Sequence, residues 1–315
     1  MHAVTIVDGS LQWAEHPDPT PADTELLVAV RAAGINAADL LQRRGRYPAP
    51  PGVPADIPGL ELAGEVVAAG RRVDRFAPGD TVMAVVAGGA QAELAVVDHT
   101  SAMAVPPGLD WAEAGGFPEV FSTAHDALFT QAALSPGEHL LVNGAAGGVG
   151  TAAVQLGVTA GARVTASVRS VERRLEVAAL GGDIQVIDPG DAGAHGPYNV
   201  VLELVGAPNL PTDLAALATG GRISVIGTGG GSRAEVNLGL LMRARGRIHG
   251  STLRARPLEA KAAAARAMEA HVLPLFAAGR LRVPVCAAVP LDDAAAAYER
   301  FAAGSKFGKV VLVAG

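Results

Sequence analysis

The residues with the clearest chemistry are glycines. In L-L-V-N-G-A-A-G-G-V-G-T-A-A-V-Q-L, residues 140–156, glycines stand at 144, 147, 148 and 150. An apolar run precedes them, and apolar side chains at Val149, Ala153, Val154 and Leu156 follow. The pattern predicts strand, tight turn and helix. Glycine at 147 lets backbone approach a pyrophosphate, and glycine at 150 lets the helix pack close on the strand. A helix starting there offers unpaired N–H groups and a positive dipole end to phosphate. The segment predicts a dinucleotide held by Gly144, Ala146, Gly147, Gly148, Val149 and Gly150.

The next strand discriminates between cofactors. NAD sites place Asp or Glu at its end to accept from the ribose 2′-hydroxyl. This chain has Ser167-Val168-Arg169-Ser170, then Arg173-Arg174. A carboxylate would repel a 2′-phosphate, whereas guanidinium groups pair with it bidentately. NADPH is therefore expected, with Ser167, Arg169 and Arg173 at the phosphate. A solvated helix face paired with Glu172 and Glu176 is the competing reading of Arg173 and Arg174.

Oxygen chemistry points to one tyrosine. The chain has three; Tyr198 lies in a strand pattern and Tyr298 in a helical one. Tyr47 sits in the proline-rich segment R-G-R-Y-P-A-P-P-G-V-P-A-D-I-P, residues 44–58, which cannot be a helix or central strand. Its hydroxyl is a candidate donor to an acceptor oxygen, and loop packing fits it too.

Two textures position these groups. Up to about Pro118, short β-type runs are cut by Gly and Pro, as in a small mostly-β unit. From about Glu119, short apolar strands alternate with helical stretches, which implies a parallel sheet covered on both faces. The glycine motif opens a run of five further strands in this region. Residues 257–278 read as one long Ala-rich helix, and β texture returns beyond Gly279.

Composition removes other classes. Net charge is −6 and aromatics are 4% of the chain, so a nucleic-acid footprint is not expected. One cysteine, Cys286, excludes an internal disulfide framework and any multi-cysteine zinc site. Residues 140–162 carry no charge, but their glycines, Asn143 and Gln155 argue against a membrane span. The N-terminus lacks a signal-peptide pattern, so a cytoplasmic protein is expected. No G-x-S-x-G elbow occurs, which disfavours a hydrolase.

The segments A-A-G-I-N-A-A-D-L-L-Q-R-R-G-R-Y-P, I-P-G-L-E-L-A-G-E-V, G-G-A-Q-A-E, F-P-E-V-F-S-T-A, G-S-T-L-R-A-R and F-G-K-V-V-L, in this order, resemble the zinc-free quinone oxidoreductases (zeta-crystallin-like) of the medium-chain dehydrogenase/reductase superfamily. G-S-T-L-R-A-R and the P-E before the aromatic are most like the tumour-suppressor-induced quinone reductase group. The resemblance implies an α/β protein: a GroES-like mostly-β catalytic domain, a Rossmann domain with a doubly wound parallel sheet, a cleft between them, and usually a homodimer. Together with the change of texture it gives boundaries of 1–118 and 282–315 for the catalytic domain and 119–281 for the NADPH-binding domain.

The resemblance also assigns roles. Zinc alcohol dehydrogenases have Cys where this chain has Asn36 and His where it has Leu60. Leu cannot ligate zinc and neutral Asn is a poor ligand, so no catalytic metal is expected. Asn36 is expected near the reacting carbon, with holding the turn at Gly34–Ile35 as the alternative. Asp39 is expected to orient backbone. By resemblance Thr123 faces the nicotinamide, Gly227, Phe307 and Lys309 lie near the cofactor, Val205 and Gly206 pass the adenosine side, and Phe121 walls the substrate pocket. Where relatives have a tyrosine at the 2′-phosphate, this chain has Pro189, which leaves that contact to Arg169 and Arg173.

Without a metal, the acceptor must take hydride with little help, as quinones and activated enones do. The leading expectation is an NADPH-dependent quinone reductase. An enone or enoyl-thioester reductase is the second, for which Arg43, Arg44, Arg46, Arg254 and Arg256 would supply a basic mouth. A crystallin-like NADPH-binding protein with little turnover is the third. No nucleic-acid or membrane partner is expected.

Overall fold

Continuous apolar runs, buried on both faces, build a six-stranded parallel sheet in the middle of the chain. The computed structural model describes residues 1–315 and resolves two units, 1–122 with 253–304 and 309–315, and 123–252 with 305–308. In the second unit the strands lie in the order Ile184–Ile187, Arg163–Ser167, His139–Asn143, Tyr198–Glu203, Leu217–Val225, Arg247–Gly250. All neighbours are parallel. Strand His139–Asn143 is buried along its whole length, as a central parallel strand must be. Leu141, Tyr198, Val201, Leu214 and Ile223 form the core on one side. The chain reverses direction across the sheet between His139–Asn143 and Tyr198–Glu203. Ligands of doubly wound sheets bind at the carboxyl ends of the strands beside such a reversal.

The first unit is built on a seven-stranded, mostly antiparallel sheet. Its order is Val285–Pro290, Lys309–Val313, Glu25–Gly34, Glu61–Ala69, Thr81–Val85, Ala102–Ala104, and Leu94–Asp98 also pairs with Glu25–Gly34. The hairpin of His2–Val7 and Ser10–Glu15 stands apart. Leu26, Val28, Leu62, Val66, Val82 and Val97 alternate inward to make the core.

Two sequence expectations change. Residues 253–281, expected in the dinucleotide-binding domain, belong to the first unit. Helix Leu258–Ala267 packs on its strands, and the Arg266 guanidinium donates to the Ala102 carbonyl at 2.7 Å. The expected single helix over 257–278 is interrupted as well. Leu258–Ala267 passes into a π-helical turn, Met268–Val272, before Leu273–Ala277 resumes. Pro274 has no N–H to give to the ladder, so the helix restarts around it. No helix is long and apolar enough to cross a membrane.

Candidate functional site

In the second unit the glycine-rich turn lies at the carboxyl end of strand His139–Asn143 and leads into helix Gly148–Thr159. Gly150 is required by close approach, since a Cβ there would lie 2.4 Å from the Gly144 carbonyl oxygen. Gly147 differs. A Cβ there would meet nothing nearer than the Gly144 oxygen at 3.6 Å, so the chain itself leaves that space open. Gly147 is the N-cap and provides no side-chain cap. The first-turn N–H groups therefore remain available to an anion. A dinucleotide pyrophosphate fits this cradle.

The neighbouring segments serve the same turn. The Gly308 N–H donates to the Ala146 carbonyl at 2.9 Å, which brings Phe307 beside it. The Ser167 carbonyl accepts from the Ala145 N–H at 3.2 Å. Arg169 is exposed and makes no hydrogen bond or ion pair within the chain. Arg173 donates to the Ser305 carbonyl and to Glu176, both at 2.8 Å. Arg174 is bound to Asp188 at 2.6 Å and to the Val168 carbonyl. Of the three arginines, Arg169 is the one left without any partner.

Beyond strand Tyr198–Glu203, the Val205 and Gly206 N–H groups both donate to Glu203 Oε1, at 2.5 and 2.6 Å. The Asn143 amide donates to Glu203 Oε2 at 2.7 Å and to Asp213 Oδ1 at 2.9 Å. Burial, with the Glu203 carboxylate beside it, pushes the Asp213 carboxyl up to about 8. That environment favours the protonated form of Asp213, and the Glu203 carboxylate fixes the turn at Val205–Gly206. The Gly227 N–H donates to the Glu203 carbonyl at 3.1 Å. Thr123 is half-buried on helix Pro118–His125.

In the first unit, Asn36 caps helix Ala37–Arg43. Its side chain is committed on both sides: Nδ2 donates to Glu61 Oε1 at 2.9 Å, and Oδ1 accepts from Lys309 Nζ at 2.8 Å. Lys309 also donates to Glu61 Oε1 at 2.5 Å and to the Ile35 carbonyl at 2.9 Å. Glu61 is fully buried and Lys309 is 2% exposed. Gly34 makes room for this pair, because a Cβ there would stand 2.2 Å from Glu61 Oε1. Asp39 accepts from the Asn36 N–H at 2.7 Å and the Gly59 N–H at 3.1 Å. Burial pushes its carboxyl up to about 6, against the pull of those two backbone donors.

Several expected roles are revised by this geometry. Lys309, expected near the cofactor, serves as counter-ion to Glu61, because a buried carboxylate must be neutralised. Asn36 clamps that ion pair and the turn at Gly34–Ile35, which is the alternative the sequence left open. Phe121 is core: it stacks on Phe117 with centroids 4.9 Å apart and meets Phe276 edge-on at 5.0 Å. Arg254, expected at a basic mouth, is 4% exposed.

Tyr47 is the tyrosine with a spare hydroxyl. Tyr198 donates to the Ala192 carbonyl and Tyr298 to Gln91 Oε1, both at 2.8 Å. The Tyr47 hydroxyl has no partner within the chain, and its ring lies half-buried. No local pattern signals Glu61–Lys309, Glu203–Asp213 or the burial of Arg254. The available signal was a carboxylate flanked on both sides by apolar residues, in L-E-L-A-G and V-V-L-E-L-V, which must find a partner when buried.

Residues 22–132 match the alcohol dehydrogenase GroES-like domain family, and residues 180–312 match the zinc-binding dehydrogenase family. A quinone oxidoreductase from Lama guanicoe is 31% identical over 306 residues, covering 94% of this chain and 90% of that protein. The chain belongs to the quinone-oxidoreductase type of the medium-chain dehydrogenase/reductase superfamily. A solved mycobacterial protein complexed with NADPH superposes with a TM-score of 0.88 at 25% identity, over 99% of this chain and 100% of the other. Erythronolide synthase EryA2 from Saccharopolyspora erythraea is 46% identical over 143 residues, 45% of this chain and 4% of that protein.

Zinc, which the second family's description implies, does not fit this superfamily member. Asn36 spends its amide on Glu61 and Lys309, Leu60 is apolar, and no three His, Cys, Asp or Glu side chains are grouped to hold a metal ion.

Proposed function

We propose that the chain is a zinc-independent, NADPH-dependent reductase of quinones, acting as a homodimer in the cytoplasm. The observation that carries the reading is the pairing of Lys309 with Glu61 and Asn36, where a metal-dependent relative would need a thiolate. An ammonium neutralises the buried carboxylate and leaves no Lewis acid to polarise an alcohol or carbonyl. The acceptor must then delocalise its own developing charge, as a quinone does.

NADPH supplies the hydride when bound. The Gly147 cradle and the first turn of helix Gly148–Thr159 would hold its pyrophosphate, and Arg169 its 2′-phosphate. Tyr47 donates a hydrogen bond to the oxygen that becomes anionic. Asp39 and the Glu61–Lys309 pair keep the backbone at 34–39 and at Gly59 in place, and take no proton from substrate.

A second reading, reduction of an enone or enoyl thioester, draws support from the similarity to polyketide synthases such as EryA2. It loses one argument, because Arg254 is turned inward. Oxidation of NADPH measured against quinones, enones and enoyl thioesters separates the two. In the quinone assay Tyr47→Phe should lower kcat/KM about five-fold or more, the value of one hydrogen bond made in the transition state. An unchanged kcat/KM removes Tyr47 from the mechanism. Turnover of no acceptor at all would favour a binding protein.

A further inference from the structure

Arg254 is a buried cation that forms no ion pair. Its Nε donates to the Ala87 carbonyl at 2.6 Å, Nη1 to the Tyr47 carbonyl at 3.0 Å and Nη2 to Gln42 Oε1 at 2.7 Å. Every acceptor is a neutral dipole, and no carboxylate forms an ion pair with it. The partners are 167, 207 and 212 residues away in sequence. One guanidinium therefore ties helix Ala37–Arg43, the proline-rich segment and the turn at Ala87 together. Its carbon also lies 5.0 Å from the centroid of the Tyr47 ring, within cation–π range.

Fastening a loop requires donors, and it does not require charge. A charge out of water costs several kcal/mol where no opposite charge meets it. Here the nearest use for that charge is the phenol. The other charged groups acting on Tyr47 and Arg254 are Glu119 and Asp39, and Lys261 adds a second cation nearby.

We propose that Arg254 is a positioning residue for Tyr47: it pins the proline-rich segment through its forked donors and lends positive charge to the ring, so that the phenol is presented as a hydrogen-bond donor. The use made of that donor rests on the reductase reading above. The coupling between the two side chains does not.

The coupling can be read without cofactor or substrate, in the full-length protein with tyrosines labelled at 13Cζ. Burial drives Tyr198 up to about 12 and Tyr298 well above the ordinary phenol range. Tyr47, raised by burial and lowered by Arg254, should ionise first. The signal is assigned by its absence in Tyr47→Phe. In Arg254→Met the midpoint should move about one pH unit to the alkaline side, the size of a screened charge at this distance. Arg254→Lys keeps a cation but loses the fork, and should move it less. It also stands in if the Met variant does not fold.

With quinone, Arg254→Met should lose as much kcat/KM as Tyr47→Phe, and the double variant no more than either. A midpoint unmoved in the folded variants overturns the proposal and leaves Arg254 a plain fastener. A wild type that reduces no acceptor overturns the reductase reading while the midpoint test still stands.

Discussion

Arg169 is one side chain whose lack of internal partners points outward. Its neighbours Arg173 and Arg174 are held by Glu176, the Ser305 carbonyl and Asp188, so they can be recruited only by breaking those bonds. Arg169→Ala should weaken NADPH binding about 10- to 100-fold, the loss of roughly 1.5–3 kcal/mol from a charge-assisted contact, and leave NADH nearly unchanged. Titration of the two cofactors by fluorescence checks this. Equal affinities in the wild type would reject the arginine reading. At this scale the sequence was informative where a residue type has one use, as with the glycines at 147 and 150. It was poor where a type has two. An aromatic before Ser122 fits a pocket wall or a core, and only the stacking on Phe117 and Phe276 decides. An arginine in a turn reads as surface until its acceptors are known.

At the scale of elements, the parallel sheet was legible because strand and helix alternate within short stretches of sequence. The buried carboxyl pair at its carboxyl edge was not, since Glu203 and Asp213 meet through Asn143, 60 and 70 residues away. The pair has a measurable signature. The folded chain holds Asp213 protonated up to about pH 8, whereas the unfolded chain releases that proton near 3.8. The stabilisation is complete below the unfolded value and is lost as pH rises through about 8, by up to about 1.4 kcal/mol per pH unit. Urea unfolding of wild type and Asp213→Asn should therefore converge or cross between pH 4 and 8 and run parallel above. A difference that stays constant across that range would mean Asp213 is ionised in the fold.

Over the whole molecule, the expected boundary at 281 failed because helical texture looks the same in either unit. What assigns 253–281 is packing against Thr81–Val85 and Ala102–Ala104, which no local pattern records. The Glu61–Lys309 pair shows the same limit, its partners lying 248 residues apart. Lys309→Met should cost about 3–5 kcal/mol in urea unfolding, because it leaves a buried carboxylate alone. Glu61→Gln with Lys309→Met should recover part of that loss. An equal loss in the double variant would deny the coupling.

Strand Lys309–Val313 is inserted between Val285–Pro290 and Glu25–Gly34, whereas every strand of the parallel sheet comes from 139–250. During synthesis the nucleotide-binding half can consolidate on the ribosome while the other half waits with a gap in its sheet. A nascent chain arrested before residue 305 should show protease-resistant fragments from 139–250 and rapid cleavage within 25–104, a window in which chaperones would find their substrate.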